Sequence, residues 1–432
     1  MLIFNTKKDN HKEIEAAIKR PFFEDNPDLE MKVREIVDNV RLRGDEAVLE
    51  YSRLWDCPTL EDFRVPSNEF EKARNNTPIH LQTAIRNAAA RITEYHSNQR
   101  RASWWMNTRD GGWAGQMLTP LERVGVYVPG GKAIYPSSVL MNCIPAFVAG
   151  VKEIILCVPP LKDGTLPPSV LFAAGEAGVD KVFSIGGAQA IAAMAFGTQT
   201  VPKVDKVVGP GNVYVNLAKR MIWGMVGVDM LAGPSEVCVV ADETANPMFV
   251  AADLLVQAEH AEDCSAFLLT PDESLAKKVL DEIERQTALH PRCEILKASL
   301  KHSAVIITGD ITEAIEWANK VAPEHLSLMV KEPMSWLSKV KSAGAILLGN
   351  YSPQSLGDYA AGPSHTLPTS GSARFASPLN VDDFVKKTSV ISYDSEALQK
   401  ATPMIEALGQ IEGFDAHVYA AKVRKKGDSN EN

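Results

Sequence analysis

From Asp28 to about Gln99, apolar residues recur every three or four positions, most clearly in Met31-Lys-Val-Arg-Glu-Ile-Val-Asp-Asn-Val-Arg-Leu and in Leu81–His96. That period places the apolar side chains on one face of a helix. After Gly111-Gly-Trp-Ala-Gly the texture changes to short β-branched runs alternating with Ala- and Gly-rich helical stretches. Strands are predicted at Val124–Val128, Glu153–Val158, Lys181–Ile185 and Lys203–Val208, and helices at Val139–Ala149, Ser169–Ala177 and Ala188–Ala195. Such alternation predicts βαβ units and a parallel sheet covered on both faces. A second block repeats it, with strands at Val237–Ala241, Ser265–Leu269, Ala304–Ile307, Leu326–Met329 and Gly344–Leu348, and helices at Pro247–Glu259 and Asp272–Thr287. Two α/β lobes follow, with a helical entry segment before them and a chain that turns helical again past Val381. The last ten residues, Val423-Arg-Lys-Lys-Gly-Asp-Ser-Asn-Glu-Asn, read as a polar tail that cannot fold alone.

Composition narrows the classes of function. The 432 residues, 45% hydrophobic and 23% charged, suit a globular protein of two or three domains. Lys and Arg number 45 against 54 Asp and Glu, a net charge of −9 that supplies no basic field for nucleic acid. Apolar runs such as that inside Val148–Pro160 are interrupted well short of the roughly 20 residues of a spanning helix. The N-terminus carries no secretory h-region, so a cytoplasmic location is expected. Six scattered cysteines form no C-x-x-C pair, which argues against disulfides and thiolate metal sites. The nine histidines remain as nitrogen ligands and proton carriers.

Candidate chemistry collects in a few segments. Val204–Arg220 contains a strand, a Gly209-Pro-Gly turn and a helix, a geometry that aims helix N-terminal amides at an anion. Tyr214 occupies the third glycine position of G-x-G-x-x-G, so the dinucleotide fingerprint is not met, and a turn without function is the alternative. Two more glycine turns, Val128-Pro-Gly-Gly-Lys and Ile185-Gly-Gly-Ala-Gln, also follow strands and point to a crevice at strand C-termini. Gln257 and His260 share a face near the end of one helix, a plausible half-site for a borderline metal or simply a solvated polar face. Pro323-Glu-His-Leu sets a carboxylate and an imidazole side by side before a strand, suited to proton transfer or to a strand-end ion pair. Asp358 and His365 lie in a long small-residue loop, and Glu412, Asp415 and His417 near the C-terminus.

Taken in order, Glu122-Arg-Val-Gly-Val-Tyr-Val-Pro-Gly-Gly, Gly186-Gly-Ala-Gln, Val208-Gly-Pro-Gly-Asn, Ala232-Gly-Pro-Ser-Glu-Val, Gln257-Ala-Glu-His, Pro323-Glu-His-Leu, Gly357-Asp-Tyr and Asp415-Ala-His strongly resemble the histidinol dehydrogenase family over nearly the whole chain. The resemblance implies an NAD⁺- and Zn²⁺-dependent homodimeric enzyme that oxidises L-histidinol to L-histidine through L-histidinaldehyde, the last step of histidine biosynthesis. It implies NAD⁺ contacts from Tyr127, Gln189 and Asn212, and one zinc per subunit held by Gln257, His260, Asp358 and His417, the last supplied by the partner subunit. Ser235, His325, Asp358, His365, Glu412 and His417 would surround the substrate, with His325 as the base and Glu324 as the activator of water. The family's organisation would give an arm over 1–25, an α/β domain from 26–123 with 235–375 that carries the zinc and catalytic residues, an incomplete Rossmann-like NAD-binding domain over 124–234, and a dimerisation extension over 376–432 that swaps onto the partner. Ser364 departs from the Asn common at that place in the family. The nearest alternative is a related branch that oxidises sulfonated propanediols and keeps the zinc and Glu-His residues. Glu412, able to accept a hydrogen bond from an imidazole N–H and poorly suited to a sulfonate, favours histidinol.

Overall fold

The computed structural model describes residues 1–20, 26–130 and 133–426, without the side chains of 425 and 426. Gly131 and Lys132 of the first glycine turn, residues 21–25 of the expected arm and the tail from 427 onward lie outside the described residues. The chain divides into two compact units, one of residues 1–99 with 121–384, the other of 100–120 with 385–432. The strands, in chain order, are Leu2–Asn5 (β1), Trp104–Asn107 (β2), Trp113–Pro120 (β3), Arg123–Tyr127 (β4), Glu153–Cys157 (β5), Lys181–Phe183 (β6), Lys206–Val208 (β7), Gly227–Val228 (β8), Glu236–Ala241 (β9), Ser265–Thr270 (β10), Ala304–Ile307 (β11), His325–Met329 (β12), Ala345–Leu348 (β13) and Val385–Ser392 (β14).

The larger unit holds two parallel sheets. One has the order β6-β5-β4-β7-β8 and the other β1-β11-β10-β9-β12-β13. In the first, the chain runs outward from β4 to β5 and β6, then returns to lay β7 on the other side, so the strand order reverses between β4 and β7. Ligands of doubly wound sheets bind beyond the strand C-termini at such a reversal. The strands are continuous apolar runs because both faces are covered. Val124 and Val126 of β4 pack in a cluster with the helix Pro136–Ala149, and Tyr127 packs in another with the helix Gly187–Phe196. In the second sheet, Cys238, Val240, Leu326 and Leu328 line one face and Val237, Val239 and Met329 lie in the core on the other. Five of the cysteines are buried free thiols and Cys293 is partly buried.

Three local expectations need correction. The N-terminal residues are not merely an arm end: Leu2–Asn5 pairs in parallel with Ala304–Ile307 and extends the six-stranded sheet. The stretch past Val381 is not continuously helical: a single 3₁₀ turn, Val381–Phe384, is followed by Val385–Ser392, which pairs antiparallel with β3 before the helices Ser395–Glu412 and Asp415–Lys426 begin. The tail stays helical to Lys426 rather than leaving the fold at Val423.

The smaller unit is the antiparallel sheet β14-β3-β2 with those two helices. Gly409 lets the helices meet, since a Cβ there would lie 2.5 Å from Val418 Cγ2. Trp104, Trp105, Met106, Met117 and Ile391 of the sheet, and Met404, Leu408, Ile411 and Phe414 around the helix pair, are exposed. No described helix is long and apolar enough to cross a membrane.

Candidate active site

The three glycine turns meet at one cleft. Tyr127 ends β4, Gly186-Gly187 opens the helix that follows β6, and Asn212 caps the helix Val213–Ile222 that follows β7. Tyr127, Gly187, Gln189, Asn212 and Tyr214 line a cavity of about 680 Å³ together with Tyr51, Trp55, Asp56 and Lys162. The Gly187 amide donates to Tyr127 Oη at 3.1 Å, and the Asn212 carboxamide accepts from the amides of Tyr214 and Val215 at 3.0 and 3.2 Å. Gln189 Oε1 is enclosed without a hydrogen-bond partner. Burial holds the Asp56 carboxyl up at about 6, against the Gly186 amide that favours its charge. Trp55 lies parallel to Tyr51 with ring centroids 5.0 Å apart.

The Gly209-Pro-Gly turn is pinned from below. Gly209 has φ +111°, and a Cβ on it would lie 2.0 Å from the Tyr127 carbonyl oxygen, so only glycine allows β7 to close against β4 here. Its amide donates to Asp229 Oδ2 at 2.8 Å, and its carbonyl accepts from Lys219 Nζ at 2.9 Å. Lys219 and Asp229 are themselves 2.5 Å apart and buried. A buried pair with both partners hydrogen-bonded fixes geometry more than it adds stability.

A second cluster lies at the opposite kind of edge, the N-terminal ends of β9 and β12. His325 is the first residue of β12, opposite Val237 of β9 and Ala345 of β13. Glu324 precedes it and accepts from the Glu236 amide at 3.1 Å. Gly344 passes behind, its amide bonding the Pro323 carbonyl, where a Cβ would meet the Glu324 carbonyl oxygen at 2.6 Å. His325 Nδ1 is 3.8 Å from Glu324 Oε2 and 3.3 Å from Gln257 Nε2, and its Nε2 is 3.9 Å from Asp358 Oδ1. His365 Nδ1 is 4.0 Å from the same Asp358 oxygen, and His365 Nε2 is 3.2 Å from Ser138 Oγ. Ser138 stands in the first turn of the helix after β4, and Thr366 Oγ1 reaches Asn142 Oδ1 on that helix at 3.1 Å, so two turns of that helix support the segment that carries His365. Ser364 bonds the Thr366 amide at 3.1 Å.

Burial sets the protonation states. His325 is held down at about 3, by burial first and then by His365. His365 is held down at about 4, again by burial first. The Glu324 carboxyl is pushed well above its ordinary range by burial, with the charges of Glu236 and Asp358 adding to the shift. Asp358 is raised to about 6 by burial.

The fold thus brings Ser235, Gln257, Glu324, His325, Asp358 and His365 to the edge of one sheet. His260 lies in the turn past the cap of that helix, which ends at Ala258, and it stays close enough to His325 and His365 for its charge to act on both. Nor is Asp358 in a loop, since Gln354–Tyr359 is a short helix that carries it. Glu412 and His417 are exposed and belong to the smaller unit, with the rings of Phe414 and His417 centred 5.1 Å apart. Among the described residues, no three His, Cys, Asp or Glu side chains gather as a metal site. The donor chemistry still fits a cation that completes its shell elsewhere: Gln257 Oε1 is buried without a hydrogen-bond partner. Ser138 carries no sequence signal, because a serine in a first helical turn is an ordinary residue until the fold brings it here.

Comparison with known proteins accords with this geometry. A profile of the histidinol dehydrogenase family matches residues 19–425. The histidinol dehydrogenase of Heliobacterium mobile is 51% identical over 403 residues, covering 93% of this chain and 94% of that one. That of Geobacillus kaustophilus is 50% identical, covering 92% and 94%. The crystal structure of histidinol dehydrogenase from Elizabethkingia anophelis superposes with a TM-score of 0.95 at 39% identity, over 100% of this chain and 99% of that one. These relatives lend no support to the sulfonated-propanediol alternative. Matched by the family profile over residues 19–425 and half identical to these relatives over more than nine-tenths of its length, the chain belongs to the histidinol dehydrogenase family.

Proposed function

We propose that the protein oxidises L-histidinol to L-histidine by way of L-histidinaldehyde, using two NAD⁺. The observation that carries this reading is the buried Glu324-His325 pair facing Gln257, Asp358 and His365. Tyr127, Gln189 and Asn212 would hold NAD⁺ in the cleft at the strand C-termini, and Gln257, His260, Asp358 and His417 of the partner subunit would hold one Zn²⁺ per subunit. When bound, NAD⁺ accepts the hydride of each oxidation and the zinc ion orients the amine and imidazole of the substrate.

His325 is neutral near pH 7, so one of its ring nitrogens is free to take the hydroxyl proton of the alcohol as the C–H bond breaks. Glu324 then draws a proton from a water that adds to the aldehyde carbon, while the protonated His325 returns its proton to the aldehyde oxygen and becomes neutral again. The hydrated aldehyde is again an alcohol, and His325 accepts its proton in the second oxidation. Ser235, His365 and the partner subunit's Glu412 would fix the substrate's polar groups. Enclosure holds the reactive aldehyde between steps. Support for the shared site comes from the smaller unit, whose exposed Trp104, Trp105, Met106 and Phe414 suit burial against a second copy, and whose Glu412 and His417 are exposed. A cytoplasmic setting suits a reaction that draws on the NAD⁺ pool.

The test is His325→Asn with L-histidinol. This variant keeps zinc and substrate binding and loses alcohol oxidation by on the order of 10²–10⁴-fold, the usual contribution of a positioned base. Turnover within about threefold of the parent, against that expected 10²–10⁴-fold loss, would remove the base assignment.

A further inference from the structure

Beneath the side chains that face the substrate lies a second layer of buried polar groups. Asp253 and Gln257 are four residues apart on the helix Pro247–Ala258, and Gln354 and Asp358 are four apart on the helix Gln354–Tyr359, so each pair shares a helical face. Ser327 follows His325 by two on β12 and projects to the same side of the sheet. Asp253 meets both Ser327 and Gln354. The Ser327 hydroxyl donates to Asp253 Oδ2 at 3.4 Å, and the Gln354 carboxamide donates to the Asp253 carbonyl oxygen at 3.1 Å. Asp253, Ser327 and Gln354 are 4%, 1% and 0% exposed. The helix that carries Asp253 otherwise gives Leu254 and Leu255 to an apolar core, where polar groups are costly to bury and an apolar filler would serve stability as well.

We propose that Asp253, Ser327 and Gln354 are positioning residues, a tier that clips both helices to β12 and thereby sets the height and rotation of Gln257 and Asp358 relative to His325. Each element contributes one upper and one lower side chain, so a bond between lower members fixes the spacing of upper ones. A helix free to slide by one residue shifts its side chains by about 1.5 Å along its axis, and a misplacement of about 1 Å costs roughly 10²-fold in a positioned reaction. The tier rests on the metal-ligand assignment made above for Gln257 and Asp358, and it extends that assignment to three residues which touch neither metal nor substrate.

The experiment is a competition titration of zinc into the full-length protein, with NAD⁺ binding at its separate cleft followed in parallel. Ser327→Ala and Asp253→Ala should weaken zinc by about 10- to 100-fold, the usual effect of removing support behind a ligand, and leave NAD⁺ affinity unchanged. Asp253→Asn, which keeps an oxygen to accept from Ser327, should restore the parent's zinc affinity. Zinc affinity equal to the parent in Ser327→Ala and Asp253→Ala overturns the tier, whether or not the melting temperature falls. If Asp253→Ala does not fold, Ser327→Ala decides alone. Asp358→Asn separates the two claims: undiminished zinc there overturns the ligand assignment, whereas loss there with full binding in the tier variants overturns the tier only.

Discussion

Burial acts on Glu324 and His325 in opposite senses, and the difference suits two proton acceptors with different tasks. Removing an ion from water disfavours the charged form, so His325 is driven down to about 3 and Glu324 upward. His325 is therefore neutral throughout the working range, and its titration leaves no mark near its ordinary value. Glu324 binds its proton more tightly than a solvent-exposed carboxyl, and it must lose that proton before it can draw one from water. The sign follows directly: the active, ionised fraction grows as pH rises through the elevated pKa of Glu324. With L-histidinaldehyde supplied as substrate, kcat/KM should climb with pH above the ordinary carboxylate range. A profile that falls with rising pH above that range would contradict the role of Glu324.

At the scale of elements, the two chemical clusters sit at opposite kinds of sheet edge. The cleft proposed for NAD⁺ uses strand C-termini, where the turns after β4, β6 and β7 converge. The Glu-His pair uses strand N-termini, beside β9. Gly209 is where the first arrangement is most constrained, and Gly209→Ala must move either the turn or β4. This substitution should destabilise the protein by about 1–3 kcal/mol, the cost of forcing a side chain into a left-handed backbone position, and raise the KM for NAD⁺ more than that for L-histidinol. Equal effects on both KM values would show that the turn does not serve the cofactor. Much of this level was legible in the chain: the alternation of β-branched and Ala-rich runs gave both parallel sheets, and the glycine turns marked their C-terminal edge. The strands β1 and β14 were not legible, because their residues pair with partners far along the chain, and β2 and β3, which pair with each other across a short turn, were missed for want of a clear alternating pattern. Leu2–Asn5 has no periodicity of its own and becomes a strand only where β11 offers an edge.

At the scale of the whole molecule, the site residues span a long stretch of sequence, and spacing alone left Gln257, Glu324 and Asp358 no more conspicuous than other polar residues. Resemblance to a known family singled them out, and the fold brings them together at one sheet edge. Ser138 and Asp253, which support this cluster from neighbouring elements, were invisible beforehand because neither motif nor composition distinguishes a supporting polar residue from a surface one. His417 and Glu412 pose the question of a second copy. If they serve the partner's site, mixing His417→Ala with His325→Asn subunits creates dimers with one intact site, and a statistical mixture recovers about a quarter of the parent activity. No recovery from the mixture would place both residues in the same subunit's site. A four-electron oxidation carried to completion at one site is what the proposed chemistry requires, and the stoichiometry of product against cofactor reports on it. With L-histidinol and excess NAD⁺, the protein should form two NADH for each L-histidine; one NADH for each histidinol consumed, with free aldehyde released, or no NADH at all in the presence of zinc, would contradict it.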